Sequence, residues 1–293
     1  MPAATLAEAV SVLAGDPDAK IIAGGQSLMP LLALRLARPT VLVDITGLGY
    51  DHLSSPGPGA PAALEIGALV RHTRVEHDPM VRRHAPLLAD AARQVGYPAI
   101  RNRGTLGGSL AHADPVAELP VAVVALEGAV VAEGPGGSRV IPAVELADGF
   151  LSTTLDPAEV LVAVRVRPAG PRHGAAFCEW APRQHDFGEA GIAIALELDE
   201  RGGVAWLGAA GFGLDSFPVP LADVLTVAGV RDAERPAASL LRAVAAAVEA
   251  AGRGFDDDRG ELAGLLAARA LRLAWERAEH TGRGDQGCGG AAA

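Results

Sequence analysis

The sequence predicts an α+β protein with two domains, and three observations support this. The first 50 residues have the pattern of a strand, a loop, a helix and a second strand. Residues 191–211 have the pattern of two antiparallel strands, and three helical segments follow them. A change of composition at residues 168–174 indicates the domain boundary. With 293 residues, 49% of them apolar, the chain is long enough for sizeable cores.

The N-terminal unit is predicted to begin with a short helix. Thr5 and Glu8 have the spacing of a capping box, and Gly15 marks the end of the helix. Residues 20–23 and 41–45 carry the apolar and β-branched residues typical of strands. Apolar residues at helical spacing between the two strands predict a helix over residues 28–37.

The remaining elements follow from similar patterns. A stretch rich in Pro, Gly and Ser at residues 54–61 predicts a linker between two subdomains. After it we expect strands at 64–67, 129–132 and 160–166, helical segments over 73–94 and near 116–126, and an irregular segment over 96–109. The second domain is expected to contain strands at 191–198 and 204–211 and helices near 219–227, 235–251 and 258–279. The tail, residues 281–293, is predicted to be disordered.

Composition excludes several classes of function. A net charge of −10, with Lys20 the only lysine, argues against nucleic-acid binding. The N-terminus lacks the pattern of a secretory signal and no apolar run is long enough for a membrane helix, so we expect a cytoplasmic protein without a transmembrane segment. The two cysteines, Cys178 and Cys288, are too few for an iron–sulfur cluster, and no Cys/His group suggests a zinc site.

Two glycine-rich segments stand where an extended chain turns into a helix. We call residues 23–27, AGGQS, the first glycine loop and residues 104–109, GTLGGS, the second glycine loop. Paired glycines let a ligand lie against bare backbone, and successive N–H groups in such a turn form a concave anion site. We expect the two loops to bind a diphosphate from both sides. The alternative for each loop is a tight turn without a ligand, and neither matches the dinucleotide fingerprint or the P-loop.

In four segments, residues 20–45, 100–120, 150–166 and 177–196, the chain resembles the FAD-binding medium subunits of molybdenum hydroxylases, the xanthine dehydrogenase and carbon monoxide dehydrogenase family. KIIAGGQSLMPLLALRLARPTVLVDI, residues 20–45, resembles the first FAD-binding segment of that family. IRNRGTLGGSLAHADPVAELP, residues 100–120, is similar to the second. FLSTTLDPAEVLVAVRV, residues 150–166, resembles the end of the FAD domain, and FCEWAPRQHDFGEAGIAIAL, residues 177–196, the start of the small C-terminal domain. The resemblance covers about residues 1–280.

The resemblance implies a more detailed fold. Residues 1–170 would form a two-part FAD-binding domain of the p-cresol methylhydroxylase type, with subdomains at about 1–53 and 54–170. Residues 171–280 would form a small α/β domain of the carbon monoxide dehydrogenase flavoprotein type, with an antiparallel sheet and helices.

The resemblance also implies the residues that contact FAD, and it implies no catalytic residue and no metal ligand on this chain. For Asp114 the alternative is a helix cap before Pro115, and for Phe187 a position in the core. The implied contact residues are Lys20, Ile21, Ile22, Ala23, Gly24, Gly25, Gln26, Ser27 and Leu28 in the first segment, Gly96, Thr105, Gly107, Gly108 and Ser109 in the second, and Asp114, Glu118, Leu155, Asp186 and Phe187 around the flavin.

The function implied by the resemblance is electron transfer. FAD on this chain would receive electrons from [2Fe–2S] clusters of a small partner subunit and pass them to an external acceptor. The molybdenum cofactor would lie on a large third subunit, and the expected assembly is a dimer of heterotrimers. Three alternatives stay open: a stand-alone FAD-dependent oxidase or dehydrogenase, an assembly subunit without a cofactor, and a regulator that binds ADP.

Overall fold

A computed structural model of the chain describes residues 1–54, 63–183, 185–252 and 257–284. Within these ranges the chain forms three β-sheets with helices packed against them. The mixed α and β character expected from the sequence is confirmed. Nearly all of the predicted linker, and residues 285–293 of the predicted tail, lie outside the described residues.

The N-terminal unit has the predicted order of elements. The hydroxyl of Thr5 accepts a hydrogen bond from the N–H of Glu8, and the Glu8 carboxylate accepts one from the N–H of Ala4, which confirms the helix start. The second helix is shorter than predicted because Arg35 adopts a left-handed φ of +58°. The elements are α1 (Leu6–Gly15), β1 (Lys20–Ile22), α2 (Leu28–Ala33) and β2 (Leu42–Asp44), with β1 and β2 paired in parallel.

A five-stranded antiparallel sheet follows, in the order β3-β4-β7-β5-β6. Its strands are β3 (Leu53–Ser54), β4 (Leu64–Gly67), β5 (Ala129–Gly134), β6 (Gly137–Pro142) and β7 (Val160–Val166). The sequence did not predict β6, an edge strand whose side chains are mostly exposed and which therefore lacks a clear apolar alternation.

Six helices accompany this sheet in the described ranges. The predicted helical stretch at 73–94 is divided into three because Pro79 and Pro86 each begin a new helix. The predicted helix near 116–126 begins later, at Glu118, and Asp114 instead caps a turn before it by accepting from the N–H of Val116 at 3.1 Å. The helices are α3 (His72–His77), α4 (Pro79–His84), α5 (Pro86–Gln94), α6 (Pro98–Arg101), α7 (Leu106–His112) and α8 (Glu118–Ala125).

The C-terminal half forms a four-stranded antiparallel sheet in the order β11-β10-β9-β8. The predicted antiparallel pairing of residues 191–198 with residues 204–211 is confirmed. The last helix continues through Gly284, so residues 281–284 are helical where the sequence predicted disorder. The elements are β8 (His173–Trp180), β9 (Ala190–Leu198), β10 (Val204–Phe212), β11 (Val219–Pro220), α9 (Ala222–Val227), α10 (Ala238–Ala251) and α11 (Asp257–Gly284).

The C-terminal sheet is buried on both faces. One face packs against α10 and α11, where Trp275 is fully buried. The other face packs against α5 and α8, and Phe177 and Phe212 belong to the same core as the helices of the N-terminal half. At this boundary the guanidinium of Arg167 lies 4.7 Å from the centre of the Trp206 ring. One hydrophobic core therefore extends across both halves, and each half also has a core of its own. No helix in the described ranges combines the length and the apolar character needed to cross a bilayer.

Candidate cofactor site

The first glycine loop connects β1 to α2 and exposes a run of unused backbone donors. Gly25 has a φ of +72°, a conformation that favours glycine. The N–H groups of Gly24, Gly25, Gln26 and Ser27 donate to no residue that the structure describes. The Gln26 side-chain amide donates to the carbonyl oxygen of Gly24 at 3.2 Å and stabilises the turn. Four successive free N–H groups form the concave donor set that binds anions.

The two glycine loops meet through a backbone contact. Gly24 is buried, and a Cβ atom at this position would lie 2.8 Å from the Cα of Gly104 and would also clash with the carbonyl oxygen of Arg103. The first glycine loop therefore rests on the residues that open the second glycine loop, although about 80 residues separate them in the sequence. The expectation that the loops lie together agrees with this contact.

The second glycine loop differs from the first in its hydrogen bonding. Thr105 is buried, and its hydroxyl caps α7. The N–H groups of residues 106–109 donate within the protein, to Val70 O at 3.0 Å, Ala68 O at 2.8 Å, Thr105 Oγ1 at 3.2 Å and Thr105 O at 3.0 Å. We expected amides of both loops to bind a diphosphate. The structure leaves a run of free amides only in the first, and the second offers the half-buried Ser109 hydroxyl and the exposed backbone of Gly108.

Gly107 and Gly108 need to be small for different reasons. A Cβ atom at Gly107 would lie 2.5 Å from the Cβ of Ala68, so this glycine lets α7 pack closely against the chain that follows β4. Gly108 is exposed, and a Cβ atom there would lie 2.7 Å from the Thr105 hydroxyl that caps the helix. Of these two glycines, only Gly108 exposes its backbone to solvent.

A side chain of α3 contacts the second glycine loop and one of α6 contacts the segment before it, and neither was a predicted site residue. His72 is buried, and its Nε2 lies 2.9 Å from the carbonyl oxygen of Thr105. Burial lowers the pKa of His72 to about 4, so the ring is neutral at physiological pH. The Arg101 guanidinium donates to Glu76 at 2.9 Å and to the carbonyl oxygen of Gly96 at 2.7 Å. His72 and Thr105 lie 33 positions apart, and Glu76 and Arg101 lie 25 positions apart. No local sequence pattern therefore reveals these two pairs.

The other predicted residues of the first segment flank the first glycine loop. Lys20 is exposed at the start of β1. Ile21, Ile22, Ala23 and Leu28 are partly buried around the loop. Leu155 is partly buried against the main core of the N-terminal half.

Carboxyl groups from both halves lie together at the start of α8. Burial raises the pKa of Glu118 to about 8, and the nearby carboxylates of Glu179 and Asp114 add to the increase. Burial also raises the pKa of Glu179, on β8, to about 7. The Oε2 atom of Glu179 is buried without a hydrogen-bond partner among the described residues. Asp114 and Glu118 were predicted site residues, whereas Glu179, the acid of the Phe-x-Glu pattern in the fourth segment, was not.

The loop between β8 and β9 carries Asp186 and Phe187, and both are exposed. The Phe187 ring is 80% exposed, so the alternative of a core position is wrong. The neighbouring His185 ring lies 5.0 Å from the ring of Tyr97, beside Gly96. The loop of the C-terminal half therefore contacts the segment that leads to the second glycine loop.

The chain has relatives among known proteins. The family described as FAD binding domain in molybdopterin dehydrogenase matches residues 1–169. The chain is 43% identical over 189 residues to 6-hydroxypseudooxynicotine dehydrogenase complex subunit alpha of Paenarthrobacter nicotinovorans, a match that covers 64% of this chain and 62% of that protein. It is 32% identical over 288 residues to the carbon monoxide dehydrogenase medium chain of Hydrogenophaga pseudoflava, covering 93% of this chain and 95% of that one.

The fold has a counterpart among solved structures. A structure of carbon monoxide dehydrogenase from Hydrogenophaga pseudoflava that lacks the Mo-pyranopterin moiety of its cofactor matches with a TM-score of 0.86 and 31% identity, covering 94% of this chain and 96% of that chain. The chain belongs to the family of FAD-binding domains of molybdopterin dehydrogenases, and its relatives include a medium chain of carbon monoxide dehydrogenase.

Proposed function

We propose that the chain is the electron-transfer subunit of a molybdenum-containing hydroxylase or dehydrogenase. In this proposal it accepts electrons from [2Fe–2S] clusters of a small partner subunit and delivers them to an external acceptor, while a large partner subunit oxidises the substrate at its molybdenum cofactor. The observation that carries the cofactor assignment is the run of four free amides in the first glycine loop, seated on the second.

The site fits the diphosphate of FAD. Successive N–H groups at residues 24–27 suit an anion, and the close backbone contact at Gly24 keeps side chains out of the space between the loops. Ser109 adds a hydroxyl donor near the exposed backbone of Gly108. When bound, FAD supplies redox chemistry that accepts electrons singly and releases them in pairs. The task of this chain is to hold and orient it.

We propose that the flavin is contacted by the residues predicted for it, Asp114, Glu118, Leu155, Asp186 and Phe187. A carboxyl group that stays protonated can donate a hydrogen bond as well as accept one, which suits Glu118 for a polar edge of a ring. The exposed ring of Phe187 is free to pack on an apolar face of a cofactor. Electron transfer needs no general acid or base.

The domain organisation expected from the sequence is part of the proposal. Two sheets within residues 1–170 support a two-part FAD-binding domain of the p-cresol methylhydroxylase type, with parts at about 1–53 and 54–170. The separate sheet of β8 to β11 with its covering helices supports a C-terminal domain at 171–280.

A partner is needed because the chain has two cysteines, too few to hold an iron–sulfur cluster. We propose a small iron–sulfur subunit and a large molybdenum subunit as partners, in a dimer of heterotrimers in the cytoplasm. The relatives are named for different substrates, a nicotine derivative in one case and carbon monoxide in another. This diversity supports a substrate site outside the medium subunit.

The relay role is tested by comparing the isolated FAD-loaded chain with its purified complex. Each is mixed anaerobically with carbon monoxide, a purine, an N-heterocycle and an aldehyde, and the flavin absorbance is followed. We expect one class of substrate to bleach the flavin of the complex and none to bleach that of the isolated chain. Bleaching of the isolated chain would replace the relay with a stand-alone oxidase or dehydrogenase.

A further inference from the structure

We propose that His72 is a positioning residue of the FAD site: it fixes the segment Gly104–Thr105, which directly follows the Arg103–Gly104 peptide on which the first glycine loop rests. This inference rests on the proposed binding of FAD at the two loops. It assigns a role to a buried titratable side chain that lies outside the predicted set of cofactor contacts.

His72 contacts the segment Gly104–Thr105 through its backbone and through its side chain. Its ring is 5% exposed, its backbone N–H donates to the carbonyl oxygen of Gly104 at 3.0 Å, and its Nε2 lies 2.9 Å from the carbonyl oxygen of Thr105. The ring also packs against Gly104, where a Cβ atom would lie 2.7 Å from Cε1 and Nδ1. The His72 side chain therefore adds a hydrogen bond and a packing contact to a segment that backbone hydrogen bonds also hold, from the N–H of Gly104 to Ile100 O at 2.7 Å and from the N–H of Leu106 to Val70 O at 3.0 Å.

The contact between the glycine loops transmits the position of this segment to the free amides. Gly24 lies against the Cα of Gly104, with no side chain between them. Close-packed backbone has little room to adjust, so a displacement of Gly104 would move Gly24 and change the geometry of the N–H groups that follow it. Site geometry displaced by even a fraction of an ångström weakens binding.

The His72 ring has one protonation state and one hydrogen-bond donor, as a positioning residue requires. A carbonyl oxygen only accepts hydrogen bonds, so the proton of the neutral ring lies on Nε2. The Nδ1 atom is buried and has no partner among the described residues, so a second proton there would lack an acceptor. Burial, together with the charges of Arg101 and Arg71, keeps the pKa of His72 low and the ring neutral. His72 thus donates one hydrogen bond over the physiological pH range.

Two amide substitutions at His72 distinguish the effect of the hydrogen bond to Thr105 from the effect of filling the buried space. In His72→Gln the side-chain nitrogen reaches the place of Nε2 and can donate to Thr105. In His72→Asn the nitrogen reaches only the place of Nδ1 and leaves the Thr105 carbonyl without that donor. The control is His77→Asn on the same helix, because the His77 Nδ1 also lies 2.9 Å from a backbone carbonyl, that of Thr73, but its side chain is 61% exposed.

The full-length chain and its variants are stripped of flavin and titrated with FAD and with riboflavin, which has no diphosphate. We expect His72→Asn to weaken FAD binding about tenfold, the effect of one net hydrogen bond, and His72→Gln and His77→Asn to stay within about twofold of the unaltered chain. Riboflavin binding should change by less than about twofold in all of them.

The FAD and riboflavin affinities of the variants distinguish a positioning role of His72 from a general loss of stability. Equal FAD affinities of His72→Asn and His72→Gln, or an equal loss of riboflavin and FAD affinity in His72→Asn, would overturn the positioning role. An unaltered chain that binds no FAD would instead refute the proposed function, so the two failures are distinct.

Discussion

Gly24 and Gly104 lie in direct backbone contact, close enough that a Cβ atom on residue 24 would be 2.8 Å from the Cα of residue 104. The two loops can meet because Gly24 lacks a side chain, and the absence of one at Gly104 makes room for the ring of His72, which a Cβ atom there would strike. The contact joins the parallel strand pair of the N-terminal unit to the helices around the second sheet. The proposed diphosphate site lies at this joint.

Gly24→Ala tests the contact itself. The added methyl group has no room, so we expect the free energy of unfolding to fall by about 1–3 kcal/mol and the FAD content to fall with it. Gly47→Ala is the matched control, because no atom lies within 4 Å of a Cβ built at Gly47. Flavin content and urea denaturation are measured for both. Normal FAD content in Gly24→Ala would show that the loops need not touch.

Valine substitutions test the backbone of each loop. Gly25→Val places a β-branched residue at a φ of +72°, and Gly108→Val places one 2.7 Å from the Thr105 hydroxyl. We expect both variants to lose FAD. Gly49→Val is the control for Gly25→Val, because Gly49 has a similar φ of +76° but open space around its Cβ position. Gly49→Val should share the backbone strain and keep its flavin. Flavin absorbance after gel filtration gives the result, and retention in both loop variants would count against the site.

The carboxyl pair at α8 predicts a dependence of stability on pH. The pKa of Glu118 is raised from 4.5 to about 8, so between these values the unfolded chain loses a proton that the folded chain keeps. The free energy of unfolding of the flavin-free chain should therefore fall as the pH rises from 5 to 8. In Glu118→Gln this fall should be smaller, by on the order of 1 kcal/mol or more. Urea denaturation across this range measures it, with the exposed Glu200→Gln as control, and identical slopes in all three proteins would contradict the prediction.

Arg101 is expected to matter for stability and for flavin binding. It forms a buried pair with Glu76 and donates to the carbonyl oxygens of Val95 and Gly96. Arg101→Met leaves the Glu76 carboxylate buried without its partner, which costs about 3–5 kcal/mol in comparable cases. Arg74→Met removes the more exposed pair with Asp78 and a hydrogen bond to the carbonyl oxygen of Asp51, and it should cost less, on the order of 1 kcal/mol. Thermal unfolding and FAD titration are compared, and equal losses in the two variants would refute this role.

Local patterns in the sequence predicted much of the fold. The capping box at Thr5, the β9–β10 pair and the glycine loops all depend on residues close together in the chain, so their signals are complete in the sequence. The edge strand β6 lacked such a signal because most of its side chains face solvent. The length of α2 was overestimated because the left-handed backbone occurs at Arg35, a residue type that gives no sequence signal for it.

The contacts that hold the residues of the candidate site in place could not be predicted from local patterns. His72 meets Thr105 across 33 residues, and the carboxyls of Glu118 and Glu179 meet only because the C-terminal sheet packs against α8. These contacts are products of tertiary packing. The difference between the loops has the same origin, because the amides of the second glycine loop bond to Ala68 and Val70, which the sequence does not place beside it.

Hydrogen exchange of the backbone amides, measured with and without FAD, tests the central claim most directly. In the flavin-free chain the N–H groups of residues 24–27 have no protein acceptor among the described residues, whereas those of residues 106–109 are already bonded. Saturation with FAD should slow exchange strongly at residues 24–27 and change it much less at residues 106–109. A chain that holds FAD while residues 24–27 exchange at their flavin-free rate would contradict the account.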